Sequence, residues 1–580
     1  MEKIFEKKSL KYISILIIIT LLTIFFRAGI NSKRVYYQNY DATYHTLLTI
    51  KAYSETPVSQ HHFLPIVTLG NKLDKYIWWG ATIPDKYGNY YYTSFPFGGF
   101  VFPYFFFKAF KLNETINNMY IFSSLILLIS VFLFYTLTKK IALFFEVKNS
   151  DRAAIFSSII YIFSLETFYS HGYIYWPHSL FQILYIIYFI LCFSLFTEKE
   201  RNKKKNFIKF FIISFFLCSV EWSGYTTVFT TIISFFIFSK IKKEDMKCEI
   251  MGVALGSILA LSIFILIFIS TVDSNLFFET VKARFMDRNF SDNISYMELI
   301  KGYLNSFHYF LILIPLGIFG LLKIKKEYLN VAILYFIILL GGILENILMK
   351  QHAAIYHFDR LKILLIFPIV IVLIFKVYKE KLLKFLIVLI IFSSIYTMYV
   401  YPSNRVIRNN FFIKNEEISK KVKDECSESL IGTNIAVRGH FNLLLNRNIY
   451  ENIDIERLNK IALDRGVKSF CFINSRYGFS SQPKLNSFIK LNTSFEKVFF
   501  ITDSNWKRGI SRTKAGFFVK NDLENRNKYK VGKKIKINNN DIRIIEKIEA
   551  QNGYLNIWLS GKILEADKLD YPNKFEVIEK

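Results

Sequence analysis

Cysteine is scarce in this chain of 580 residues: there are five, and none pair at zinc-ligand spacing, which excludes a cysteine-built zinc site. Cys192 and Cys218 fall in apolar runs and Cys248 in a basic stretch. Cys426 and Cys471 lie in the polar C-terminal part, where they either pair, if that part is exported, or stay free. Base-stacking and helix-turn-helix signatures are missing too, so the formal net charge of +28 does not point to nucleic acid. The first apolar run, Ile13 to Ile30, lacks a small-residue cleavage site and ends in FFRAGINSKR. It therefore reads as a retained helix with a cytoplasmic N-terminus, not a signal peptide. Neither an internal repeat nor a low-complexity linker breaks the chain.

What the chain has in abundance is apolar sequence. It is 52% hydrophobic, and its mean hydropathy is +0.28. Runs near the length of a bilayer's hydrocarbon core recur. Eleven spans account for them: 13–30, 117–138, 153–170, 179–197, 207–221, 223–239, 250–270, 308–322, 329–349, 361–378 and 384–402. The run from Asn206 to Phe238 is too long for one span and is split at VEWSGY, where Glu221 and Gly224 make an outer turn. Phe95 to Phe110 is apolar but short and carries Pro and Gly, so it is expected to lie in the interface.

Charge sets the orientation. The loops KKIALFFEVKNSDR, TEKERNKKK, KIKKEDMK, KIKKE and KVYKEKLLK are all lysine-rich, which places them in the cytoplasm. With an odd number of spans, the tail from Tyr401 falls outside. The expected fold class is a mostly α, polytopic membrane protein with a C-terminal extracytoplasmic α/β plus β domain. Residues 1–402 form the membrane core, with a first outer loop over 31–116, and 403–580 form the soluble domain. In the tail, NIAVRG, KSFCFI and KVFFIT read as strands and IERLNKIALDRGV as a helix ending at Gly466. KKIKINNNDIRIIEKIEAQNGYLNIWLSGKIL reads as strands joined by NNND and QNG turns.

All nine histidines fall outside the cytoplasmic loops, which gathers the polar chemistry on the outer face. Asp41 follows the first span, and His45 sits one helical turn further on. Asp41 serves equally well as a helix N-cap or as a reactive carboxylate. A second group, KQHAAIYHFDRLK, packs Lys350, His352, His357, Asp359, Arg360 and Lys362 at the outer mouth of the tenth span. Guanidinium and imidazole groups there suit a phosphate. Arg284 and Arg288 in KARFMDRNF read first as a solvated loop. Trp176-Pro177-His178 puts an aromatic face and a hydrogen-bonding ring at the membrane edge.

These residues, in this order, resemble the integral-membrane glycosyltransferases of the GT-C superfamily, of the protein O-mannosyltransferase and aminoarabinose-transferase type. The resemblance covers roughly residues 10–400 and rests on four segments: NYDATYH, YYTSFPFGGFVFPY, YIYWPHSLFQ and HAAIYHFDRLK. It implies a polyprenyl-phosphate sugar donor in the outer leaflet, an extracytoplasmic acceptor (glycan, lipid or protein), and a multi-pass protein of the cell (inner) membrane. Asp41 takes the place of the general base, with inversion at the anomeric carbon. Arg360, His352, His357 and Lys350 are expected at the donor phosphate. Tyr44, His45, Trp176, His178 and Arg284 are expected to bind substrate. The second outer loop lacks the further acid of many relatives, so no metal ligand is assigned; a divalent cation remains open as cofactor. The rival readings are a transporter or flippase of lipid-linked sugars, which would use mid-span charges such as Glu166, Glu221 and Glu345, and a polysaccharide polymerase.

Overall fold

The computed structural model describes residues 7–31, 40–70, 75–77, 79–198, 201–290, 294–378, 380–403, 410–436, 439–477, 483–492, 497–503, 513–520, 523–537, 541–551, 554–562 and 575–578. The chain forms two compact units. One contains residues 1–409 and 438–447, and the other contains 410–437 and 448–580.

The first unit is helical. Among the described residues, eight helices are long and apolar enough to cross a membrane, from Ser9–Ile30 to Leu383–Tyr401. The other expected runs are helical in shorter or interrupted form. The run 153–170 breaks at Ser164, whose side chain caps the next helix by accepting from the Thr167 N–H. The run 361–378 combines a 3-10 helix, His357–Leu365, with an α-helix, Ile366–Val377. The long run around 206–238 divides where expected: one helix ends at Val220 and the next begins at Ser223. Gly224 is required there, because a Cβ would sit 2.8 Å from the Leu217 carbonyl oxygen. The Tyr296–Leu321 span starts earlier than its apolar core and is interrupted at His308, whose φ is 45°.

Between the first two long helices lie several shorter elements. The Tyr40–Glu55 helix carries Asp41 in its first turn. A short hairpin pairs Thr82–Pro84 with Tyr90–Tyr92. The Gly98–Ala109 helix is twelve residues long, too short to span, as the Phe95–Phe110 stretch implied. Its two glycines let it press against its neighbours. A Cβ at Gly99 would lie 2.4 Å from the Pro177 Cβ, and one at Gly98 would lie 2.7 Å from the Ser219 carbonyl oxygen. The Gly99 carbonyl also accepts a hydrogen bond from the Tyr175 hydroxyl at 2.7 Å. This contact fixes the stretch that begins the Pro177–Thr197 helix.

In the second unit, a three-stranded sheet joins Leu430–Thr433, parallel, to Ser469–Tyr477, and that strand, antiparallel, to Pro483–Asn492. The strand expected at NIAVRG is instead found just before it, at Leu430–Thr433. The Ile455–Asp464 helix is capped by Asp454, and Gly466 follows with φ of 66°. The remaining strands form a six-stranded sheet. Lys534–Ile537, Asp541–Gln551 and Tyr554–Lys562 are consecutive neighbours within it, and residues 538–540 and 552–553 of the expected turns lie outside the described residues. A disulfide joins Cys426 to Cys471, with Cα atoms 6.2 Å apart, and Cys192, Cys218 and Cys248 are free.

Two outcomes test this packing. Gly99→Ala should cost ~1–3 kcal/mol by overpacking against Pro177, read as a lowered unfolding midpoint of the purified protein in detergent. Peptide mapping without reductant should recover Cys426 and Cys471 in one linked fragment, with the other three cysteines alkylated after denaturation.

Candidate active site

The Tyr40–Glu55 helix begins one residue before Asp41, so the carboxylate lies inside the first turn. His45 follows one turn later on the same face. Both line a cavity of about 330 Å³ on the first unit. Its wall also includes Trp79, Tyr92, Trp176, Arg284, Arg288, His352, Tyr356 and Phe358.

His45 is packed in aromatic rings: Tyr92 at 4.5 Å, Trp79 at 4.7 Å and Trp176 at 5.2 Å between centroids. Burial pulls its pKa down to about 3, so the imidazole is neutral near pH 7. Its Nε2, together with the indole nitrogens of Trp79 and Trp176, has no hydrogen-bond partner among the described residues. Three polar ring atoms without partners around one cavity are unusual in a packed interior. They fit a ligand that is flat and apolar on its faces and hydroxylated at its edge.

Arg284 and Arg288 lie one turn apart on the Ser274–Phe290 helix, on the face that meets the cavity. The expectation of a solvated loop is therefore corrected: a helix forms there, and Arg288 is only 6% exposed. Arg284 pairs with Asp287 at 3.1 Å. Arg288 lies over the Phe95 ring, 5.7 Å from its centroid. Both arginines also line a second cavity of about 370 Å³, walled by Trp222, Tyr225, Leu261, Val281, Phe285, Leu348 and Met349 among others. The two arginines thus stand where a polar cavity meets an apolar one.

The four residues expected at the donor phosphate are differently placed. Of these, only His352 lines the cavity. Burial lowers the His352 pKa to about 4 although Asp359 opposes the shift. Arg360 is 2% exposed and its hydrogen bonds are spent internally. It donates to Glu166 at 3.0 Å, to Ser306 at 2.8 Å and to the Ala353 and Ala354 carbonyls, and it contacts His357. Gly302 leaves room for it, since a Cβ there would be 2.9 Å from Nη1. His357 stacks on Tyr169 at 4.5 Å and lies 3.5 Å from Glu166. The Lys350 ammonium lies over Tyr296, 5.3 Å from the ring centroid. Tyr44 stacks on His440 at 4.2 Å and does not line the cavity.

His178 is also behind the wall, in contact with Asp359 and 3.7 Å from Glu221. The mid-span acids are paired: Glu166 with Arg360, and Glu345 with Lys362. His178, His352 and Asp359 form the group that could hold a metal ion. Sequence reading missed Trp79, Tyr92, Tyr356 and Phe358, whose only signal is aromaticity in an aromatic-rich loop.

No family model matches the chain, and no curated protein matches its sequence. Solved structures do match in fold. ArnT from Cupriavidus metallidurans bound to undecaprenyl phosphate superposes with a TM-score of 0.53 at 8% identity, over 80% of this chain and 93% of that one. The Archaeoglobus fulgidus oligosaccharyltransferase in its apo form gives a TM-score of 0.48 at 11% identity, over 80% of this chain and 69% of that one. The chain shares its fold with ArnT.

The buried pair sets a prediction. Arg360→Met should destabilise the protein by ~3–5 kcal/mol by stranding the Glu166 charge. Adding Glu166→Gln should recover part of that loss, measured by thermal unfolding of the single and double variants.

Proposed function

We propose that this protein is a membrane glycosyltransferase that moves a sugar from a polyprenyl-phosphate donor to an acceptor hydroxyl outside the cytoplasm. The observation that carries the reading is the juxtaposition of Asp41, on one wall of a polar cavity, with Arg284 and Arg288, which also wall the adjoining apolar cavity. A lipid-linked sugar phosphate needs that sequence of environments: apolar for the chain, cationic for the phosphate, aromatic and hydrogen-bonding for the sugar. The shared fold with ArnT, solved with undecaprenyl phosphate, supports a donor of this class.

In this scheme the Asp41 carboxylate accepts the proton of the acceptor hydroxyl as its oxygen attacks the anomeric carbon. The bond from that carbon to the phosphate oxygen breaks, and the lipid phosphate leaves with the electron pair. Arg284 and Arg288 stabilise the charge that develops on it. Attack opposite the departing phosphate inverts the anomeric centre. Trp79, Tyr92 and Trp176 supply ring faces for the sugar, and the neutral His45 imidazole supplies a hydrogen bond at its edge. Arg360 holds the wall and does not touch the phosphate.

Purified protein given a labelled polyprenyl-phosphate sugar and candidate acceptors should transfer the label. Asp41→Asn should lower kcat by ~10²–10⁴-fold with an unchanged unfolding midpoint. Arg284→Ala and Arg288→Ala should chiefly weaken use of the donor. Lipid movement across vesicles with no sugar transfer would overturn the reading in favour of a flippase.

A further inference from the structure

One cluster of buried ligating groups takes no part in the transfer scheme. His178 stands at the start of the Pro177–Thr197 helix, His352 in the Lys350–Ile355 helix and Asp359 in the 3-10 helix His357–Leu365. One ligand atom from each lies within 4.8 Å of the others. His178 is 3% exposed and Asp359 1%. Only His352 reaches the cavity wall.

The contacts inside the cluster converge on the Asp359 carboxylate. One Asp359 oxygen bonds to His352 Nδ1. The other contacts His178 Nε2 as an ion pair, and His178 Nδ1 has no hydrogen-bond partner among the described residues. Two buried imidazoles thus converge on one carboxylate, an arrangement that a cation can bridge. A second carboxylate adds to the negative field, with Glu221 Oε1 3.7 Å from His178 Nε2. The buried ammonium of Lys362 is committed to Glu345 and Ser223. Two imidazole nitrogens, a carboxylate and a second acid nearby are the donors of a cation site.

We propose that His178, His352 and Asp359 bind one divalent transition-metal ion of the zinc class, with Glu221 close enough to complete the set after a small side-chain shift. Nitrogen-rich ligation favours such an ion over Mg²⁺, which prefers oxygen ligands and keeps its waters. The ion would tie three segments together behind the cavity wall and set the orientation of His352. The site stands whether or not the chain transfers sugar.

The test uses the full-length protein in detergent, with any affinity tag removed, stripped by chelation and reloaded separately with Zn²⁺, Mn²⁺ or Mg²⁺. Elemental analysis after desalting should find about one Zn²⁺ per chain, and saturating Zn²⁺ should raise the unfolding midpoint by about 4 °C. Mg²⁺ should do neither. Asp359→Asn and His352→Gln should lower retained zinc to background. Because Asp359 is buried, a second readout avoids dependence on its variant. Co²⁺ in the wild type should give a visible absorption band of nitrogen and oxygen ligation that Zn²⁺ displaces and that His352→Gln lacks. A wild type that retains no zinc and melts alike with and without it overturns the proposal. So does a cobalt band or zinc content that survives in His352→Gln.

Discussion

An arginine buried beside a glutamate, Arg360 against Glu166, is the constraint on which the candidate site of the first unit depends. In a body this apolar, a lone guanidinium or carboxylate is costly, and each is retained because the other is present. The pair draws together the Leu165–Ser170 helix, the 3-10 helix His357–Leu365, the Tyr296–Phe307 helix through Ser306, and the Ala353 and Ala354 carbonyls. His352 and Phe358, which wall the cavity, lie on the segments so fastened. A second arginine does similar work at the first span. Arg27 is buried, donates to the carbonyls of His171 and Phe168, and lies over the Phe168 ring.

Against that rigid side stands a different use of arginine. Arg284 and Arg288 spend few of their donors within the protein, and the Nε of each has no hydrogen-bond partner among the described residues. A guanidinium whose hydrogen bonds are filled internally is a strut, while one that keeps donors spare at the junction of a polar and an apolar cavity can meet an anion. This difference separates the two arginine sets more sharply than their positions in the chain do.

Much of the fold could be read from local pattern. Apolar run length located the long helices. The break at VEWSGY followed from run length together with Glu221 and Gly224, and the helix carrying Asp41 and His45 from composition and spacing. The donor-binding group was harder. HAAIYHFDRLK holds cations at a span mouth, which suits a phosphate equally well as a buried ion pair. Nothing within the segment reveals that Glu166, far away in sequence, will neutralise Arg360. KARFMDRNF likewise reads as a polar loop until the Ser274–Phe290 helix turns one face to a cavity.

The sequence by itself determined what depends on neighbours along the chain: a membrane-spanning helical body, a separate strand-rich tail, and an acid one helical turn from a histidine after the first span. Hydropathy, helix periodicity and turn residues act over a few residues, so they can be read in one dimension. Only the tertiary structure decided which charges face each other. It joined Cys426 to Cys471, spent Arg360 on Glu166, brought Arg284 and Arg288 to the cavity of Asp41, and gathered His178, His352 and Asp359. Those outcomes depend on how closely helices approach, as at Gly99 against Pro177. Close approach is a property of surfaces that meet in space, and local sequence carries no signal for it.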